Sequence, residues 1–187
     1  MTRRPAVSSI SFEMIRAVFH EFFRVQGSAP APPLIIIAAR DENTLKALLP
    51  EGWMNEGWMH PVGIFVRGPE KKYVGLRLDA STQQREPFEP VYHEYVHYLT
   101  SRMTPHLPLW MAEGLAEFYG NTRLDNKKGF VGVPSAANVL ILRRNPLLAL
   151  EVLFRVNASS RYYHEHNKAC VFYAESWVLT HYLITRD

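Results

Sequence analysis

Apolar residues near the start of the chain recur with a helical period. Ile10, Met14, Val18 and Phe22 lie four apart, with Ile15, Phe19 and Phe23 beside them. That spacing predicts an amphipathic helix from Ser11 to Gln26. GSAPAPP (27–33) breaks it, and LIIIAA (34–39) is an unbroken apolar run expected as a strand. Asp41 is placed to cap a helix through about Leu49, stopped by Pro50. GIFVR (63–67) and KYVGLRLD (72–79) read as paired strands around a Gly68-Pro69 turn. Between them EGWMNEGWMH (51–60) repeats EGWM, too short for a solenoid unit and read as a loop pinned by two tryptophans.

A polar stretch, STQQREPFEP, leads into residues 90–103, where Tyr92, Tyr95, Val96, Leu99 and Met103 form one apolar stripe of a helix. A second helix is expected from Pro108, at a first helical position, to Tyr119. NTRLDNKKGFVGV (121–133) reads as a hairpin turning over Asn126 to Gly129. Short helices are expected within 135–155, and a long one from about Asn167 to Arg186. Strands early and helices late predict an α+β fold: a small N-terminal sheet with helices, packed on the 90–103 helix, then a mainly helical C-terminal part.

Composition narrows the class. With 187 residues, 47% hydrophobic and 21% charged, the chain suits one globular core. A single domain, 1–187, is therefore expected, with 1–86 as a helix and strand subregion and 87–187 carrying the motif helices. The closing helical pattern reaches the last residues without a glycine or proline stop, so the expectation is a chain cut from a longer protein. The net charge is only +3, and the basic pairs (Arg3–Arg4, Lys71–Lys72, Lys127–Lys128, Arg143–Arg144) are scattered. A solvated surface explains them better than a nucleic-acid groove. No apolar run approaches the roughly 18 residues of a membrane span. Cys170 is the only cysteine, which excludes an intramolecular disulfide and a thiolate zinc cage. It leaves the compartment open: cytoplasmic, or exported with the signal lost.

The chemistry lies in VYHEYVHYLT (91–100). On a helix, His93 and His97 are one turn apart and point the same way, beside the apolar stripe. Two imidazoles so placed can both reach one zinc ion at roughly 2.0–2.1 Å. Glu94 lies about 100° round the helix from His93, where it is left over a water polarised by the ion and can take its proton. HExxH also arises by chance on surface helices, so a third ligand decides the matter. WMAEGLAEFYG (110–120) offers Glu113 and Glu117, four apart on one face of the second helix, with Ala112, Gly114 and Ala116 small enough for helices to come close. Two histidines and one glutamate leave the fourth tetrahedral position open, as catalysis requires.

HEYVH followed by LPLWMAEGLAEFYG resembles the gluzincin metallopeptidases, the broad zincin-like group that includes thermolysin and the zinc aminopeptidases. It is most similar to small bacterial peptidase-like domains carrying HExxH and then W-x-x-EG-x-A-E. The likeness is carried by residues 90–120, extends toward the C-terminus and fades before residue 70. It implies zinc held by His93, His97 and Glu113, with Glu94 as general base. It further implies that Glu117 accepts the other N–H of a ligand histidine, although a solvent-facing acid explains Glu117 as well. In the aminopeptidases a tyrosine on a later helix supports the oxyanion. FYAESWVLTHYL (172–183) is similar, making Tyr173 the matching residue, or else a core aromatic. YVGLRLDASTQQREP lacks the Gly-x-Met-x-Asn stretch of the aminopeptidases, and the spacing from His97 to Glu113 is shorter than theirs or thermolysin's. If the fold follows the likeness, Tyr73–Leu78 is an edge strand that pairs with an extended peptide.

The expected function is zinc-dependent hydrolysis of a peptide bond in a peptide or protein substrate. The alternative is a catalytically silent module that keeps its zinc and binds a peptide or protein. A purely structural zinc site is disfavoured because no fourth protein ligand is evident. His164 and His166 alternate in an expected loop, and His20, His60, His106 and His181 lack partners at ligand spacing. Cys170 reads as a small buried residue of the last helix. None of these is assigned to the site.

Overall fold

The computed structural model describes residues 9–23, 34–48, 62–68, 70–79, 89–103, 106–125 and 128–186. The apolar period of the first segment is realised as helix α1 (Ser9–Phe23), which turns Ile15 and Phe19 fully inward. The expected extension to Gln26 lies outside the described residues, as do the EGWM doubling and the polar stretch before the motif helix. Strand β1 (Leu34–Ala39) follows, then helix α2 (Glu42–Lys46). Asp41 caps α2 as its position requires, its carboxylate accepting the N–H of Thr44 at 2.9 Å. That hydrogen bond and the Thr44 hydroxyl pull the Asp41 pKa down to about 2. The helix is shorter than expected, with Ala47 already its C-cap.

Strands β2 (Gly63–Arg67) and β3 (Lys72–Arg77) pair antiparallel, with Phe65 opposite Val74. β1 joins the other side of β3 in parallel, with Ile36 opposite Val74. The order is β1-β3-β2, so the strand of Tyr73–Leu78 is central and not the expected edge. The reason lies in its side chains. Val74, Gly75 and Leu76 are buried in a row, as in a strand covered on both faces, while β2 has no fully buried position. An ideal Cβ on Gly75 would lie 2.8 Å from Leu45 Cδ1, so α2 presses directly onto this strand.

The motif helix is α3 (Glu89–Met103). Tyr92, Tyr95, Val96 and Leu99 are buried as the stripe predicts, but Met103, one turn beyond, is half exposed at 50%. Helix α4 (Leu109–Gly120) packs on α3. Pro108 is its N-cap and not the expected first helical residue, which is Leu109. Strands β4 (Arg123–Asp125) and β5 (Lys128–Phe130) form the hairpin, and Gly129 sits within β5 opposite Leu124 instead of in the turn. Gly132 returns the chain at φ 65, where an added Cβ would fall 2.2 Å from the Phe118 ring.

Helices α5 (Ala136–Arg144), α6 (Leu150–Leu153), α7 (Arg161–His164) and α8 (His166–Thr185) complete the fold. The expected loop at YYHEH is instead the end of α7 and the start of α8, with His164 bonded to the Ala158 carbonyl. The architecture is mixed α+β with a three-stranded and a two-stranded sheet. Two apolar clusters form. One joins α1, β3, α3 and α4, and the other gathers α6 and α8 with flanking residues of α4 and α7. α4 contributes to both, Ala116 and Leu115 to the first, Leu109 and Trp110 to the second. No described helix is long and apolar enough to cross a membrane.

Candidate metal centre

One turn of α3 brings the two histidine rings together, with centroids 4.8 Å apart. Their Nε2 atoms are 3.1 Å apart. α4 sets Glu113 against both, its Oε2 lying 3.3 Å from each Nε2. Four ligands at 2.0–2.1 Å in a tetrahedron are separated by about 3.3 Å, so these three atoms have the size of one tetrahedral face. Glu113 is only 3% exposed, yet its Oε2 is buried with no hydrogen-bond partner. A buried, unsatisfied carboxylate oxygen facing two imidazole nitrogens is a donor set that could hold a divalent cation. The residues present fit zinc. His93, His97 and Glu113 are also the described His, Cys, Asp or Glu residues whose ligand atoms cluster closely enough for an ion.

The three side chains also act on one another electrostatically. Burial disfavours the ionised form of Glu113, but the charge of His97 and the contact with His93 outweigh it and hold the carboxyl well below its ordinary range. Burial likewise opposes a charged His93, and Glu113 and Glu117 more than offset it, raising the His93 pKa.

Glu117 lies a turn beyond Glu113 and faces the site, not solvent. Its Oε1 is 3.4 Å from His93 Nδ1. Its Oε2 accepts the side-chain N–H of Asn138 at 3.0 Å. Asn138 is 4% exposed and held at the start of α5, where Ser135 Oγ accepts its backbone N–H at 3.2 Å. The chain Asn138, Glu117, His93 therefore orients one imidazole from behind, leaving Nε2 toward His97.

Glu94 is buried beneath β2. An ideal Cβ on Gly63 would lie 2.9 Å from Glu94 Cγ and 3.0 Å from its Oε1, so only glycine leaves room there. Burial raises the Glu94 pKa, against the opposing charges of His93 and His97. A carboxylate with a raised pKa is the better proton carrier near neutral pH.

Tyr173 of α8 lies with its ring centroid 6.4 Å from that of His93. A second tyrosine that the sequence did not single out bonds Glu113 directly: Tyr163 of α7 donates to Glu113 Oε1 at 3.0 Å. The Glu113 charge raises the Tyr163 pKa, and burial raises that of Tyr173, so both are phenol donors. Asn138 and Gly63 were equally unmarked. Ser135 and Asn138 have the spacing of a helix start, which tells nothing of a partner on α4. His164, His166, His106 and His181 contribute no atom to the cluster of ligand atoms.

The small residues of α4 let helices come close on two sides, and Ala116 packs in the cluster with α3. Gly114 faces α8, where an added Cβ would lie 2.1 Å from Thr180 Oγ1 and 2.4 Å from the Ser176 carbonyl oxygen. The glycine after Glu113 thus lets α8 approach, and α8 carries Tyr173.

Residues 89–187 match the family model described as a protein of unknown function (DUF1570), just over half of the chain, and the chain belongs to that family. No curated protein and no solved structure matches it. The matched span holds every side chain of the centre, while Gly63 and the three-stranded sheet precede it.

Proposed function

We propose that this DUF1570 protein is a zinc-dependent peptidase of the gluzincin kind, with a zincin-like arrangement of its sheet over the HExxH helix. The single observation that carries the reading is the triangle of His93 Nε2, His97 Nε2 and Glu113 Oε2, with edges of 3.1, 3.3 and 3.3 Å. A structural site would have no use for Glu94 beside it, and a fourth protein ligand is not found among the described residues. When bound, zinc would polarise a water molecule and the scissile carbonyl.

The chain's own residues supply the rest. Glu94 takes the proton of the attacking water and returns it to the departing amine. Its burial beneath Gly63 keeps bulk water from competing for that proton. Glu117, fixed by Asn138, keeps His93 in one tautomer. The Tyr173 hydroxyl is the donor assigned to the developing oxyanion. Among the described residues β2 is an edge strand, paired with β3 on one side, and it lies over α3 at Glu94. An extended peptide pairing with β2 would be carried along the site by main-chain hydrogen bonds.

The test uses zinc-loaded wild type and Glu94→Gln, each incubated with a diverse peptide mixture, with new termini counted by mass spectrometry. Cleavage by wild type alone supports the peptidase reading, and the residues flanking the cuts give its preference. Equal cutting by both proteins removes Glu94 from the mechanism. If zinc stays bound and neither protein cuts, the chain is a peptide-binding module.

A further inference from the structure

The two oxygens of Glu113 are not equivalent. Oε1 accepts the Tyr163 hydroxyl at 3.0 Å. Oε2 has no hydrogen-bond partner and lies 3.3 Å from both histidine nitrogens. The Tyr163 proton is therefore committed to Glu113. Tyr173 stands beside Tyr163, with ring centroids 6.0 Å apart.

We propose that Tyr163 is a positioning residue that holds Glu113 to the metal through Oε2 alone, with Tyr173 bracing it. The proposal rests on the metal-centre reading given above. A carboxylate beside a cation can bind through one oxygen or both. A hydrogen bond to Oε1 occupies one of its lone pairs and fixes the plane of the carboxylate, which leaves Oε2 as the stronger donor. Binding through one oxygen keeps the fourth position free, and binding through both would intrude on it.

Tyr163 is well held for this task. Its ring meets Phe172 edge-on, with centroids 6.1 Å apart, and lies 6.0 Å from Tyr173. The competing account is that Tyr163 merely fills space beside the second apolar cluster, to which its ring belongs. Tyr163→Phe separates the two accounts, because it keeps the ring and removes only the hydroxyl.

The experiment replaces zinc with cobalt(II) and records the visible absorption of wild type, Tyr163→Phe and Tyr173→Phe, alongside zinc affinity by competition with a chelating dye. Four-coordinate cobalt absorbs strongly, and added coordination weakens its bands. The expected result for Tyr163→Phe is a weaker, shifted cobalt spectrum and a zinc affinity lower by about 10–100-fold, typical of losing a partner behind a ligand. Tyr173→Phe, which leaves both the Tyr163–Glu113 bond and the packed ring in place, should keep the wild-type spectrum and affinity. A Tyr163→Phe protein with the wild-type spectrum and affinity would overturn the role of Tyr163 and leave the metal centre standing. A wild type that takes up neither cobalt nor zinc would overturn the centre itself, and this inference with it.

Discussion

The backbone of Gly63 on β2 rests against the side chain of Glu94 on α3, with 2.9 Å between Glu94 Cγ and the place where a Cβ would be. A sheet edge and a helix are thereby locked in register at the proposed general base. Gly63→Ala should displace Glu94 without unfolding the chain, because the colliding atoms belong to a side chain that can turn. We expect peptide cleavage to fall by at least an order of magnitude, with zinc binding unchanged, measured by kinetics and by metal titration. For comparison, Glu94→Gln should cost roughly 10²–10⁴-fold, the usual worth of general acid–base catalysis.

Metal and fold should be linked through Glu113. Zinc at a hundred times its Kd stabilises a protein that binds it only when folded by about 2.7 kcal/mol. Thermal unfolding of wild type should therefore move upward with zinc and back with a chelator. Glu113→Ala should lose most of that zinc-dependent shift. An identical shift in both proteins would show that another residue supplies the third ligand.

Asn138 touches neither metal nor substrate in this reading, and its effect should pass through Glu117. Asn138→Ala removes the donor to Glu117 Oε2, and a lost hydrogen bond to a charged group costs about 1.5–3 kcal/mol. Zinc affinity should fall by about 10–100-fold. Denaturant unfolding and metal competition measure the two effects separately. A stability loss with unchanged affinity would make Asn138 a helix-start residue and nothing more.

Gly114→Ala is the sharpest test of the packing between α4 and α8. The added methyl group would sit 2.4 Å from the Ser176 carbonyl oxygen, which cannot move without moving the helix. Overpacking of this kind costs about 1–3 kcal/mol, enough to lower Tm by several degrees. The displaced helix carries Tyr173, so cleavage should fall as well. Calorimetry together with the peptide assay checks both.

Local pattern reached far into this molecule. The HExxH helix, its buried stripe, the capping by Asp41, the three main strands and the long last helix all follow from spacings within a single element. The closeness of Glu113 to the histidines was reachable too, because a second acid-bearing helix follows soon after the first. The errors arose where a strand's or a turn's place depends on remote neighbours. β3 looked like an edge because nothing in KYVGLR reveals that β1 joins its far side. Nothing local marks Tyr163, because its partner, Glu113, lies 50 positions away in the chain.

By itself the sequence determined which side chains share a helix face: a period of 3.6 residues brings His93 and His97 together wherever the helix is placed. Only the tertiary structure decided what meets that face. It made Glu113 Oε2 the third vertex and set Asn138 behind Glu117. It also placed Gly63 over Glu94 and brought the Tyr163 hydroxyl onto the remaining oxygen of Glu113. The physical reason is that helix periodicity is a property of adjacent residues, whereas a hydrogen bond between helices depends on how every intervening element packs.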